Sequence, residues 1–176
     1  MELMNRIQRY IPLCLTAIIA ILVSACSISY SFNGASIDYT ETKTIQIDNF
    51  PLRSAYVWAP MQSIFQNKLT DIYTNQTKLR QVKKNGDLQL AGEITAFDQF
   101  NKGISSDGYS SLVQLKMTVN VRFVNNKKHT DDFERQFTAT ADYDATQQLT
   151  AVQEELVTQM AKDITDQIFN ATVANW

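Results

Sequence analysis

Every second residue over positions 113–123 is apolar: Val113, Leu115, Met117, Val119, Val121 and Phe123 alternate with Gln114, Lys116, Thr118, Asn120 and Arg122. A β-strand turns successive side chains to opposite faces, so this run offers one face to a core and the other to water. Asn125-Asn126-Lys127-Lys128 reads as the turn that follows, and Phe133, Arg135, Phe137, Ala139 and Ala141 resume the alternation. Upstream, Leu88, Leu90, Gly92, Ile94 and Ala96 share a face that runs on towards Phe100, and Ser105-Ser106-Asp107-Gly108 makes the intervening loop. Three such segments in succession predict an antiparallel meander with one wet face.

The period changes to steps of three and four at Met61, Ile64, Phe65, Leu69, Ile72 and Tyr73. That spacing predicts an amphipathic helix from Pro60 to about residue 78, with the proline in its first turn. A second helix is predicted from Val152, Leu156, Met160, Ile164 and Ile168, with Val157 and Ala161 beside them and Thr150 to Gln153 as a capping box. Lys43-Thr44-Ile45-Gln46-Ile47 reads as a strand ended by Asn49-Phe50-Pro51. Residues 79–83 read as a short strand, followed by an Asn85-Gly86 hairpin signal. The expected fold class is α+β: two amphipathic helices packed on one face of a mostly antiparallel sheet of about four strands.

The N-terminus has a different character. Arg6 and Arg9 precede an almost wholly apolar run over residues 11–23, and small Ser24 and Ala25 follow. This is the pattern of a secretory signal peptide over residues 1–25, the run being short and early for a span of ~20 residues. A buried N-terminal helix is the competing reading. Leu22-Val23-Ser24-Ala25-Cys26 resembles a bacterial lipobox, in which the cysteine thiol accepts a diacylglyceryl group and becomes the new N-terminus. The only other cysteine, Cys14, lies in the leader, so no disulfide is expected in a single domain over residues 26–176. Ser27 follows Cys26 and no acidic run comes after it, which favours the periplasmic face of the outer membrane over inner-membrane retention or surface export. Ile28, Tyr30 and Phe32 alternate with serines directly after the cysteine, so the domain is expected to begin close to the bilayer without a polar tether.

Charge limits the function. The chain has 16 basic and 18 acidic residues, a net of −2, which argues against nucleic acid as a partner. Removing Arg6, Arg9 and Glu2 with the leader makes that balance one unit more negative. His129 is the only histidine and sits in a polar turn with Asp131 and Asp132, too thin a set for a metal centre. Asp142, Asp144 and the Glu154-Glu155 pair fit turn, helix-entry and first-turn positions better than general acid–base work. Gly92 and Gly103 are isolated and mark a bulge or close packing, not a phosphate loop. No enzyme activity and no cofactor are expected beyond covalent lipid at Cys26. Lys83, Lys84, Lys127 and Lys128 lie in two turns. If these meet at one end of the sheet, they form a cationic patch for phosphates or an acidic partner; ordinary solubilising charge is the competing reading.

The order of several short motifs resembles the LptE-type lipopolysaccharide-assembly lipoproteins. The resemblance is carried by Cys26 with Tyr30-Ser31-Phe32-Asn33-Gly34, by Ile47-Asp48-Asn49-Phe50-Pro51 and by Gly86-Asp87-Leu88-Gln89-Leu90-Ala91-Gly92. It continues through Ala141-Asp142-Tyr143-Asp144, Ile168-Phe169-Asn170 and Asn175-Trp176. It implies two helices against a four-stranded sheet, and a non-enzymatic plug and assembly partner of an LptD-type outer-membrane β-barrel that handles lipopolysaccharide. The family's basic contacts do not transfer residue by residue, so the four lysines are candidates from charge alone. A free-standing lipoprotein with a lipid or small apolar ligand between helices and sheet is the alternative. An unfamiliar enzyme with carboxylates gathered around His129 is a third reading.

Overall fold

The computed structural model describes residues 37–102 and 112–173. Three long strands form the expected meander: β3 (Leu88–Asn101) pairs antiparallel with β4 (Leu112–Asn125), and β4 with β5 (Phe133–Asp144). Two short strands complete the sheet, β1 (Thr44–Ile47) and β2 (Arg80–Val82), in the order β2-β1-β3-β4-β5. The helices are α1 (Ala59–Gln76) and α2 (Leu149–Thr172).

The α+β class holds, but among the described residues the sheet has five strands and is mixed. β1 runs parallel to both of its neighbours. Parallel pairing requires a crossover, and α1 supplies it between β1 and β2. The Asn85-Gly86 signal therefore does not close a hairpin. It lies in the connection from β2 to β3, which run in the same direction with β1 between them.

Val113, Leu115, Met117, Val119, Val121 and Phe123 are all buried, as the alternation predicted. β3 departs from its predicted pattern. A bulge between Ile94 and Ala96 shifts the register, so Phe97 enters the core and Phe100 is 48% exposed. One extra residue reverses the face of everything after it. Tyr56 stacks on Phe97 with ring centroids 5.5 Å apart.

Extended chain continues past β1 alongside β3. The Asp48 amide donates to the Leu90 carbonyl (2.8 Å), the Ile94 amide to Pro51 (3.0 Å) and the Arg53 amide to Ile94 (2.8 Å). Proline is tolerated here because only its carbonyl is used. α1 clamps the segment: Gln66 accepts from the Phe50 amide through Oε1 (3.2 Å) and donates to the Asp48 carbonyl through Nε2 (3.3 Å). Phe50 is fully buried against Phe65, with centroids 5.3 Å apart, and its ring lies over Gly92. A Cβ on Gly92 would sit 2.1 Å from the Asn120 carbonyl oxygen and 2.5 Å from Phe50 Cε1. The isolated Gly92 is thus a close-packing glycine; Gly103 lies outside the described residues.

α1 buries Met61, Phe65, Leu69, Ile72 and Tyr73, the stripe its spacing predicted, with Ile64 half-buried. Thr77 closes it, its Oγ1 donating to the Tyr73 carbonyl (2.7 Å). α2 departs from its predicted cap. It begins at Leu149 with no side-chain cap, which puts Thr150 inside the helix and Glu154-Glu155 beyond its first turn. Gln153 is buried instead and accepts a hydrogen bond from Tyr56 Oη at 3.1 Å; its Nε2 has no partner among the described residues. The apolar stripe of α2 is centred on Val157, Met160, Ala161, Ile164 and Ile168, with Val152 and Leu156 at its margin. The helices meet at Tyr73, whose ring packs edge-on to Phe169 and whose hydroxyl bonds Thr172 Oγ1. Burial pushes that phenol well above its usual range.

Candidate functional site at the basic turns

The register of the sheet places both lysine-bearing turns at one end. Leu88, the first residue of β3, pairs with Asn125, the last of β4. The connection over residues 83–87 and the turn over residues 126–132 are therefore neighbours, and hydrogen bonds join them. The Asn126 amide donates to the Asp87 carbonyl (2.9 Å), and Asn126 Nδ2 donates to the Gly86 carbonyl (2.7 Å). Asn85 has φ 57°, the left-handed region that asparagine tolerates better than most residues. Gly86 passes so close to β1 that a Cβ would stand 2.6 Å from the Gln46 amide nitrogen.

Asp87 organises this end, a role sequence reasoning missed. Its Oδ2 accepts from the amides of Lys43 and Thr44 (3.0 Å each) and from Thr44 Oγ1 (2.8 Å). Its Oδ1 pairs with Lys127 Nζ at 3.1 Å. One carboxylate thus ties the start of β1 to the start of β3 and to the β4–β5 turn. The Lys43 amide is the largest influence lowering its pKa; with Thr44 and Lys127 it outweighs desolvation and holds the group at about 2. An Asp directly before an apolar alternation, after Asn-Gly, was the available signal.

The remaining acidic side chains belong to the turn itself. Lys128 Nζ pairs with Asp131 Oδ1 at 2.8 Å, and His129 Nδ1 meets Asp132 Oδ2 at 3.0 Å. Asp132 Oδ1 accepts from the Asn125 amide (2.7 Å). Desolvation alone would raise the Asp132 carboxyl, but the Asn125 amide and His129 outweigh it and hold it below the ordinary range. His129 is exposed and paired with Asp132 within the turn. Among the described residues, no three His, Cys, Asp or Glu side chains converge as a metal site.

The four candidate lysines are therefore unequal. Lys127 and Lys128 are each neutralised by a carboxylate, whereas Lys83 and Lys84 are exposed with no ion pair among the described residues. The free positive charge sits on Lys83 and Lys84. Cys26 lies outside the described residues, as does the predicted strand at Ile28, Tyr30 and Phe32. No described helix is long and apolar enough to cross a membrane.

The expected acid response of Asp87 follows from its geometry. Its folded pKa lies below the usual 3.8, so its contribution to stability is complete above about pH 4 and is lost as pH falls through about 2. Partly exposed, it should contribute about 1–2 kcal/mol at neutral pH. Asp87→Asn is expected to lose that amount at pH 7 and to converge on the wild type near pH 2. Urea unfolding at both pH values checks this; a constant difference would contradict the assignment.

The family model for lipopolysaccharide assembly, LptE, matches residues 42–172. The chain belongs to the LptE family. The match takes in both helices, the lysine-bearing turns and the core apart from Val173. No curated protein sequence matches the chain. Among solved structures, a hypothetical protein from Chlamydia trachomatis is similar at TM-score 0.52 and 9% identity, over 76% of this chain and 99% of that one. A minor lipoprotein from Acinetobacter baumannii aligns at TM-score 0.49 and 15% identity, over 72% and 88%. The rare lipoprotein B of Shewanella oneidensis aligns at TM-score 0.46 and 15% identity, over 72% and 92%. The chlamydial likeness is one of fold.

Proposed function

We propose that this LptE chain is a non-enzymatic outer-membrane lipoprotein, anchored by acyl chains on Cys26 at the periplasmic side. It acts as plug and assembly partner of an LptD-type β-barrel and contacts lipopolysaccharide. Residues 1–25 are its leader and residues 26–176 its single domain. The observation that carries the reading is the family match over residues 42–172. The packing supports it against the free-standing alternative: Phe65, Leu69, Leu90, Leu115, Met117 and Met160 fill the space between helices and sheet that an apolar ligand would occupy.

The contacts to lipopolysaccharide or the barrel are assigned to the end where the two turns meet. Reversing Lys127 also breaks its bond to Asp87 and perturbs the fold, so Lys83 and Lys84 give the cleaner test. Replacing both with glutamate is expected to weaken lipopolysaccharide binding about tenfold at low salt, with unfolding unchanged, because exposed charges act mainly through the local field. Binding equal to wild type would return these lysines to ordinary solubilising charge.

A further inference from the structure

β5 is the outer strand of the sheet among the described residues, and Arg135 stands on it between two phenylalanines. Its guanidinium carbon lies 4.9 Å from the centroid of Phe133 and 4.8 Å from that of Phe137. Phe133 is braced in turn by Phe123, centroids 5.4 Å apart, so the platform is anchored in the core. Stacking on aromatic faces suits arginine better than lysine and leaves the N–H edge of the fork free. Arg135 is exposed and has no carboxylate partner among the described residues.

Beside it runs an open groove of about 490 Å³ between β5 and the last turns of α2, bordered by Arg135, Gln136, Phe137, Gln167, Asn170 and Ala171. Gln167 and Asn170 border this groove from α2 and Arg135 borders it from β5, while Gln136, next to Arg135 in the strand, occupies the alternate position. Gln167 Nε2 donates to the Thr138 carbonyl (3.2 Å), while the side chains of Gln136 and Asn170 make no hydrogen bond among the described residues. We infer that Arg135 and this groove form a binding site for a phosphate group. A carboxylate has two oxygens and is satisfied by the arginine fork alone. A phosphate monoester has three terminal oxygens and uses the amide donors as well. The carbonyl end of α2 lies nearby and opposes an anion, so Arg135 carries the site.

The site begins three residues past Asp132 and shares no lining residue with the basic turns. It deepens the proposed function and rests on that reading only for the source of the phosphate, a lipid headgroup or a soluble ester. The test follows the Arg135 Nε–H resonance of the full chain in uncharged detergent, titrated with methyl phosphate, acetate, lipopolysaccharide and chemically dephosphorylated lipopolysaccharide. Methyl phosphate is expected to shift Arg135 and the Asn170 amide saturably and at least ~10-fold more tightly than acetate. Arg135→Lys, which keeps the charge, is expected to weaken methyl phosphate binding about tenfold. A response to intact but not dephosphorylated lipopolysaccharide assigns a lipid source, and a response to methyl phosphate alone assigns a soluble ester. No saturable shift with either phosphate ligand, equal affinity for acetate, or an unweakened lysine variant overturns the inference. Loss of lipopolysaccharide binding on reversal of Lys83 and Lys84, with Arg135 silent, would remove this site and leave the proposed function standing.

Discussion

Gly92→Ala is expected to lower the stability of the domain by about 3 kcal/mol or more, at the upper end of overpacking substitutions. The cost is high because the nearest obstacle is backbone. The added Cβ would stand 2.1 Å from the Asn120 carbonyl oxygen of the paired strand, which cannot rotate aside, and 2.5 Å from Phe50 Cε1. Relief would require β3 and β4 to separate where Gly92 pairs with Val121, at the centre of the core. The melting temperature should fall by roughly 10 °C. Adding Phe50→Leu relieves the ring contact but not the carbonyl, so the double variant should remain well below wild type. Calorimetry of both variants checks this, and a Gly92→Ala protein melting with the wild type would contradict the packing described.

Cys26→Ala is expected to abolish membrane attachment of the processed protein, an effect of all-or-none size. Each buried methylene adds about 0.8 kcal/mol to membrane affinity, and stable anchoring takes two signals such as paired acyl chains. Without the thiol there is no acceptor for the first chain, and the signal leaves no other cysteine beside the cleavage point. Either the precursor accumulates uncleaved or the domain is released. Fractionation with mass analysis of the N-terminus distinguishes these from the contrary result, a cleaved, acylated and membrane-bound variant.

Much of the fold was legible because burial imposes a period. The strands from Val113 to Phe123 and from Phe133 to Ala141, and the stripe from Met61 to Tyr73, each sit on one wall of the core, so their spacing records the wall. What escaped were features set by distant partners. The bulge after Ile94 reverses the face of Phe97 without any local residue signal. Parallel pairing of β1 depends on α1 acting as a crossover, and strands of four and three residues carry little pattern of their own. Asn85-Gly86 marks a turn in either topology. Thr150 to Gln153 has the capping-box pattern, but Gln153 is drawn into the core, where it meets Tyr56 across 97 positions of sequence.

The candidate site was legible in part for a similar reason. Charge and turn residues located Lys83, Lys84, Lys127 and Lys128, and the β3–β4 register brings the two pairs to one end. Charge counting alone does not reveal which lysines are already neutralised, because Asp87 lies forty positions from Lys127. In the sequence Arg135 is one member of the alternating set from Phe133 to Ala141. Its significance comes from the two rings and the groove beside it.

The central claim, that this chain works as the lipoprotein subunit of an outer-membrane barrel, is tested most directly by affinity purification from detergent-solubilised outer membranes, with a tag after Trp176. The account predicts co-purification of one large β-barrel at near-equal stoichiometry. Recovery of the lipoprotein alone under mild detergent would contradict it.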